Sequence, residues 1–188
     1  MRIGIDIDDC ITQTVERYCD VATELFDRTI TKDQLLHTSG KLEAQGMVTA
    51  EEFQTLRRKL TDDRFFQSIY PHAGSIEAVK ELSLMHEVFF ITSRDDYSEA
   101  KEDTFFWMEA HGIIAPTILF SSQKDLIIKE NAIDIFIDDR ESYVAQAIKA
   151  GAKPIFFAQP WNKQYQLKQQ VFRFESWGEI VIHISNLY

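Results

Sequence analysis

The chain has 188 residues, 45% of them apolar, enough for one core domain with a modest insertion. Its 20 Lys and Arg stand against 30 Asp and Glu, a formal charge of −10 that disfavours a nonspecific grip on a nucleic acid polymer or an anionic membrane. Two cysteines, Cys10 and Cys19, make no disulfide framework and lack the companions of a zinc site, and no apolar run approaches the ~18 residues of a membrane span; with Ile3-Gly4-Ile5-Asp6 following the start directly, a cytoplasmic setting is expected. In chain order, a strand is predicted over 2–7 and a helix over about 12–27, where Val15, Tyr18, Cys19, Ala22 and Leu25-Phe26 recur at helical spacing. Residues 28–68 are polar, place Leu35-Leu36 and Phe53, Leu56 and Leu60 at helical intervals, and hold no convincing strand, so they read as an inserted helical lid.

Strand and helix then alternate. The pattern predicts helix 74–84, strand 87–91, a helix capped by Ser98 and ending near His111-Gly112, strand 117–120, helix 123–131 and strand 133–137. Helix 141–150, stopped by Gly151, and strand 153–157 follow. Ser176 and Glu179 have capping-box spacing ahead of Ile180, Ile182 and Ile184, which favours a last helix over a strand. Repeated βα units imply an α/β fold, a Rossmann-like three-layer parallel sheet with a small helical cap inserted after the first strand. The expected division is a core of 1–16 and 69–188 and a cap of 17–68.

Four of these strands end in polar groups: Asp6 and Asp8 after the first, Thr92-Ser93 after the second, Lys124 after the third and Asp138-Asp139 after the fourth. A parallel sheet gathers strand ends along one rim. Carboxylates crowded there repel unless a cation lies among them, and hard oxygen ligands favour Mg²⁺. The chemistry that fits is phosphoryl transfer to an aspartate. Asp6 is the expected nucleophile. Asp8, two residues on and so on the same side of an extended segment, is the expected acid and base. Asp138 is expected to complete a metal site with Asp6 and the main-chain carbonyl of Asp8, leaving Asp139 to orient water or Lys124. Thr92 and Ser93 offer hydroxyl and N–H groups to phosphate oxygens, and Lys124, with Lys129 as its competitor, neutralises phosphate and nucleophile. Arg94 is read either as a bidentate phosphate contact or as half of a surface ion pair. Each group alone has an ordinary alternative as a turn, cap or surface residue; their coincidence at matched strand ends is what favours catalysis. The five histidines show no ligand spacing, Cys10 reads as a small buried filler, and no phosphate-loop or dinucleotide fingerprint is present.

With its Asp-x-Asp, Ser/Thr, Lys and Asp-Asp motifs in this order, the sequence resembles the haloacid dehalogenase (HAD) superfamily of phosphatases. Within it, Phe65-Phe66 before Pro71 and Gly74, Ile91-Thr92-Ser93, Lys124, Ile137-Asp138-Asp139 and Pro160-Trp161-Asn162 are similar to the 5′(3′)-deoxyribonucleotidase-like group. The resemblance implies a Mg²⁺-dependent phosphomonoesterase with a helical cap, Asp6 and Asp8 as nucleophile and acid/base, Thr92, Lys124 and Asp138 at phosphate or metal, and Phe65 or Phe66 stacking on a nucleotide base. Two positions depart from the group, Asp9 where glycine is usual and Cys10 where Thr or Val is usual. The expected partner is a nucleotide or another small phosphorylated metabolite such as a sugar phosphate, handled by a monomer or homodimer. A non-catalytic phosphate-binding relative is a further alternative, and a signalling receiver module is disfavoured by the motif order.

Overall fold

The computed structural model of the chain describes all residues except 33–48, 63, 95–98, 164, 166–170 and 188, and only the backbone of 53, 61 and 62. Its strands are β1 (Arg2–Ile5), β2 (Glu87–Thr92), β3 (Thr117–Phe120), β4 (Ile135–Asp138), β5 (Lys153–Phe157) and β6 (Phe172–Phe174). They form one parallel sheet in the order β3-β2-β1-β4-β5-β6. The helices are α1 (Thr14–Phe26), α2 (Ala50–Asp62), α3 (Ser75–Met85), α4 (Ala100–Ala110), α5 (Lys124–Glu130), α6 (Glu141–Ala150) and α7 (Trp177–Ser185). Short 3-10 turns lie at Phe65–Gln67 and Pro160–Asn162. The anticipated Rossmann-like α/β class is therefore met, with β6 as an additional edge strand. The proposed Ser98 cap and Leu35-Leu36 lie outside the described residues.

Both faces of the sheet are covered, which is why its strands read as near-continuous apolar runs. One face buries Ile3, Ile5, Phe90 and Ile137 with Trp107 of α4, Leu82 of α3 and Trp177 of α7. The other buries Phe89, Ile91 and Phe136 against Ile128 of α5 and Ala147 of α6. Gly4 faces this second layer, where an added Cβ would come within 2.9 Å of the Phe136 ring, so the sheet's central strand has room only for hydrogen there. Local chemistry sets the element ends: Ser176 and Glu179 form the reciprocal capping box of α7, and Gly151 ends α6 at φ +92°.

A separate apolar cluster joins α1, α2 and the first 3-10 turn through Cys19, Ala22, Leu56, Leu60, Phe65 and Phe66. Helix α1 runs unbroken from Thr14 to Phe26, so the expected division at 16/17 falls inside a helix. No helix among the described residues is long and apolar enough to cross a membrane.

The sheet order reverses direction at β1, between β2 and β4, the place where open α/β sheets bind ligands beyond their carboxyl ends. Register sharpens this. Ile5 pairs with Phe90 on one side and Ile137 on the other, so Asp6 and Asp138 leave the sheet level with each other, and the Asp6 amide donates to the Ile137 carbonyl at 2.9 Å.

Candidate active site

The loop after β1 is held by its own backbone: the amides of Cys10, Ile11 and Thr12 all donate to the Ile7 carbonyl. Trp177 Nε1 donates to the Cys10 carbonyl at 2.9 Å, and Gln159 Nε2 to the Asp9 carbonyl at 2.7 Å. Asp9 takes the left-handed conformation, φ +57°, that glycine supplies most cheaply. Aspartate tolerates it better than most side chains, and here its Oδ1 accepts from the Val15 amide in the first turn of α1 at 3.0 Å. The departure at Asp9 thus has a local explanation: the side chain supplies a helix cap that glycine would lack.

Lys124, at the start of α5, is fully buried beneath this loop and pairs with Asp6 Oδ1 at 2.8 Å and Asp138 Oδ2 at 2.7 Å. Burial opposes its charge, but the two carboxylates outweigh it and raise its pKa above the ordinary lysine value. Lys129, the competitor, is not at the rim: it lies in the last turn of α5, away from the strand ends. Asp8 has a different cation. Arg94 places Nε 3.0 Å from Asp8 Oδ2 and Nη2 2.8 Å from Oδ1, while Nη1 donates to Thr104 at 3.0 Å and the Phe66 ring lies under the guanidinium at 4.4 Å. Thr14 also donates to Asp8 Oδ1, at 2.6 Å. Against the upward push of burial, Arg94 and then Thr14 hold the Asp8 carboxyl below its ordinary pKa.

Two expectations for substrate contacts are revised by this packing. Arg94 is neither a surface residue nor a group aimed at phosphate; it is 2% exposed and its fork is filled by Asp8, because bidentate carboxylate geometry matches a guanidinium. Phe65 and Phe66 are 5% and 9% exposed and pack edge to face with centroids 5.3 Å apart, so they anchor the second apolar cluster and present no open ring to a base.

A third revision concerns the expected metal ligands. Asp138 gives one oxygen to Lys124 and accepts from the Arg140 amide with the other at 2.8 Å. The carboxylate turned toward Asp6 is that of Asp139: ligand atoms of Asp6, Cys10 and Asp139 lie within 4.8 Å of one another. Asp138, the last residue of β4, shares the Phe136 face, where Lys124 lies over the Phe136 ring and takes one of its oxygens, and Asp139 follows beyond the strand end. Burial first raises Asp6 and Asp139 to about 7; at Asp6, Lys124 opposes the rise while Asp138 and Asp8 add to it, and at Asp139 the charge of Asp6 adds to it while Trp161 and Arg140 oppose it. Burial likewise lifts Asp138 to about 6 and pushes the Cys10 thiol well above the ordinary range.

Two buried polar atoms at the rim lack a partner among the described residues: Thr92 Oγ1 and Asp139 Oδ1. Buried polar groups are normally satisfied, so each of these atoms can take a partner that the described residues do not supply. Thr92 is fully buried at the end of β2, and Ser93 follows it, half-buried, at the strand-to-loop junction. Asp139, with one carboxylate oxygen unpartnered and a second buried carboxylate nearby, has the donor chemistry of a hard divalent cation. The Cys10 thiol, protonated and soft, does not.

The fold and rim together define a HAD-type hydrolase, and similarity to known proteins agrees. The family described as 5′ nucleotidase, deoxy (pyrimidine), cytosolic type C protein matches residues 1–186. The chain belongs to this family and is a HAD-superfamily phosphatase of the nucleotidase type. A provisionally named 5′(3′)-deoxyribonucleotidase of Chlorobaculum tepidum is 25% identical over 95% of this chain and 87% of its own length. A HAD family hydrolase of Deinococcus radiodurans with bound phosphate and sodium superposes with a TM-score of 0.72 at 10% identity, covering 98% of this chain and 95% of that one. A provisionally named HAD hydrolase of Bacillus subtilis bound to magnesium gives 0.64 at 13% identity, covering 98% of both chains.

Proposed function

We propose that the protein is a divalent-cation-dependent phosphomonoester hydrolase working through an aspartyl-phosphate on Asp6, with Mg²⁺ as the cation and (deoxy)nucleoside monophosphates as substrates. The observation that carries this reading is the pair of unpartnered buried oxygens, Thr92 Oγ1 for phosphate and Asp139 Oδ1 for a cation, flanking the Lys124-bound carboxylate of Asp6. The substrate class rests on family membership. Asp6, Asp139 and the main-chain carbonyl of Asp8 would hold the cation, which supplies positive charge to offset phosphate and nucleophile when bound.

In the first step an Asp6 carboxylate oxygen bonds to phosphorus as the bond to the leaving oxygen breaks, and that oxygen takes a proton from the Asp8 carboxyl. In the second, water attacks phosphorus, its proton passes to the Asp8 carboxylate, and the Asp6–phosphorus linkage breaks. Arg94 keeps Asp8 in the carboxylate form that the second step uses. The acid form needed first is favoured when an anionic phosphate arrives beside it, since like charge disfavours ionisation. Thr92 donates to a phosphate oxygen, with Ser93 beside it, and Lys124 balances Asp6 throughout. We assign the apolar cluster of α1, α2 and the first 3-10 turn as the body of a helical cap over this rim.

The test is a Mg²⁺-dependent hydrolysis screen over deoxyribonucleotides, ribonucleotides and sugar phosphates, with Asp6→Asn as the control. A loss of roughly 10⁴-fold or more is expected in the control. Retained turnover there would remove the covalent route, and a preference for sugar phosphates would replace the nucleotide assignment.

A further inference from the structure

The turn after β5 touches both acidic loops of the rim. Gln159 Nε2 donates to the Asp9 carbonyl at 2.7 Å, and Asn162 Nδ2 donates to the Asp139 and Phe157 carbonyls, each at 2.8 Å. The turn is itself braced, since the Gln159 amide donates to Asn162 Oδ1 at 3.0 Å. From this frame Trp161 reaches Asp139: its Nε1 donates to Oδ2 at 2.8 Å. The Lys32 ammonium lies 5.4 Å from the indole centroid and covers one face of the ring.

We propose that Trp161 is a positioning residue for the cation site, its indole N–H fixing the Asp139 carboxylate so that the unpartnered oxygen is presented beside Asp6. The proposal rests on the cation site described under Proposed function. Asp139 is 2% exposed, and the side-chain hydrogen bond given to it is the one from Trp161. Remove it, and repulsion from Asp6 favours rotation of the carboxylate away from the shared position. Indole suits the task because it only donates, so it cannot be satisfied by the protonated face of a carboxylic acid, and its ring is too large to swing out of a braced turn. Outer partners of this kind orient metal-binding carboxylates, and their loss typically weakens metal affinity by roughly 10–100-fold.

The experiment measures Mn²⁺ affinity by electron paramagnetic resonance of the free ion for the wild type, Asp139→Asn, and two variants lacking the N–H, Trp161→Phe and Trp161→Met. The expected result is one Mn²⁺ on the wild type, severe loss in Asp139→Asn, and roughly 10–100-fold weaker binding in whichever Trp161 variants fold. In steady-state assays the KM for Mg²⁺ should rise by a similar factor while kcat at saturating Mg²⁺ stays within a few-fold, a split that general destabilisation would not produce. Wild-type Mn²⁺ affinity in the Trp161 variants, with loss in Asp139→Asn, overturns the positioning role and leaves the cation site standing. No Mn²⁺ binding by the wild type, or unchanged binding in Asp139→Asn, overturns the cation site and the Trp161 role with it.

Discussion

The two flanks of the sheet rim carry the same kinds of charged group under different terms. Toward β2 and α5 every buried charge is answered: Lys124 lies between Asp6 and Asp138, and Arg94 grips Asp8. Toward β5, Asp139 has a neutral indole N–H on one oxygen and nothing on the other, while Asp9 caps α1 through the Val15 amide. Burial raises the pKa of both Asp9 and Asp139; the charge of Asp139 adds to the rise at Asp9, and that of Asp6 to the rise at Asp139. The first flank gives each carboxylate a buried cation to bond, one of them shared, and so fixes nucleophile and acid/base. In the second, Asp139 has no directly bonded cation among the described residues, Arg140 and Lys124 acting on its charge from a distance, so a cation held directly is what the proposed site would add.

The comparison can be broken at its strongest points first. Asp8→Asn removes the proton carrier and leaves Arg94 buried beside a neutral amide; hydrolysis should fall by roughly 10²–10⁴-fold, with phosphoenzyme persisting in rapid-quench assays. Undiminished turnover would detach Asp8 from catalysis. Next, Lys124→Met leaves two buried carboxylates without their cation, and urea unfolding at pH 8 should show a loss of about 3 kcal/mol or more. At pH 5 the loss should shrink, because Asp6 and Asp138, at about 7 and about 6, are then protonated and no longer need the ammonium. An equal loss at both pH values would mean that these carboxylates are not strained by burial.

The smallest effect sharpens the second flank. Asp6 and Asp139 have folded-state pKa values raised to about 7 from 3.8, so the folded, cation-free protein binds more protons than the unfolded chain between these limits. Their contribution to stability is therefore present at low pH and is lost as pH rises through about 7. At the proposed site Mg²⁺ would bind the ionised pair, so its thermal stabilisation should be a few degrees at pH 8 and close to nil at pH 5. A stabilisation independent of pH would place the ion elsewhere.

Much of this arrangement is legible in the sequence. The apolar runs of β1, β2 and β4 mark a sheet covered on both faces, and polar residues just beyond them mark its rim. Ser176 and Glu179 announce the last helix, and Gly151 the end of α6. The three residues of β6 are too few for alternation to register. What the sequence hides is pairing at long range. Arg94 and Asp8 are 86 residues apart, so local reading sees only a basic residue after Thr92-Ser93 and leaves it between a phosphate contact and a surface ion pair. The dipeptide Asp138-Asp139 offers two adjacent carboxylates, and which of them meets Lys124 depends on where α5 packs. Phe65-Phe66 looks equally suited to a base or to a core until α1 and α2 are seen closing over it.

Asp6 and Asp139, which meet where the two flanks join, form the proposed cation site. Anomalous scattering from crystals soaked in Mn²⁺ tests it most directly. A single strong peak about 2–2.3 Å from a carboxylate oxygen of each residue is predicted, with Asp138 still bound to Lys124. A peak on Asp138 that displaces the Lys124 ammonium, or a rim without any peak at saturating Mn²⁺, would contradict it.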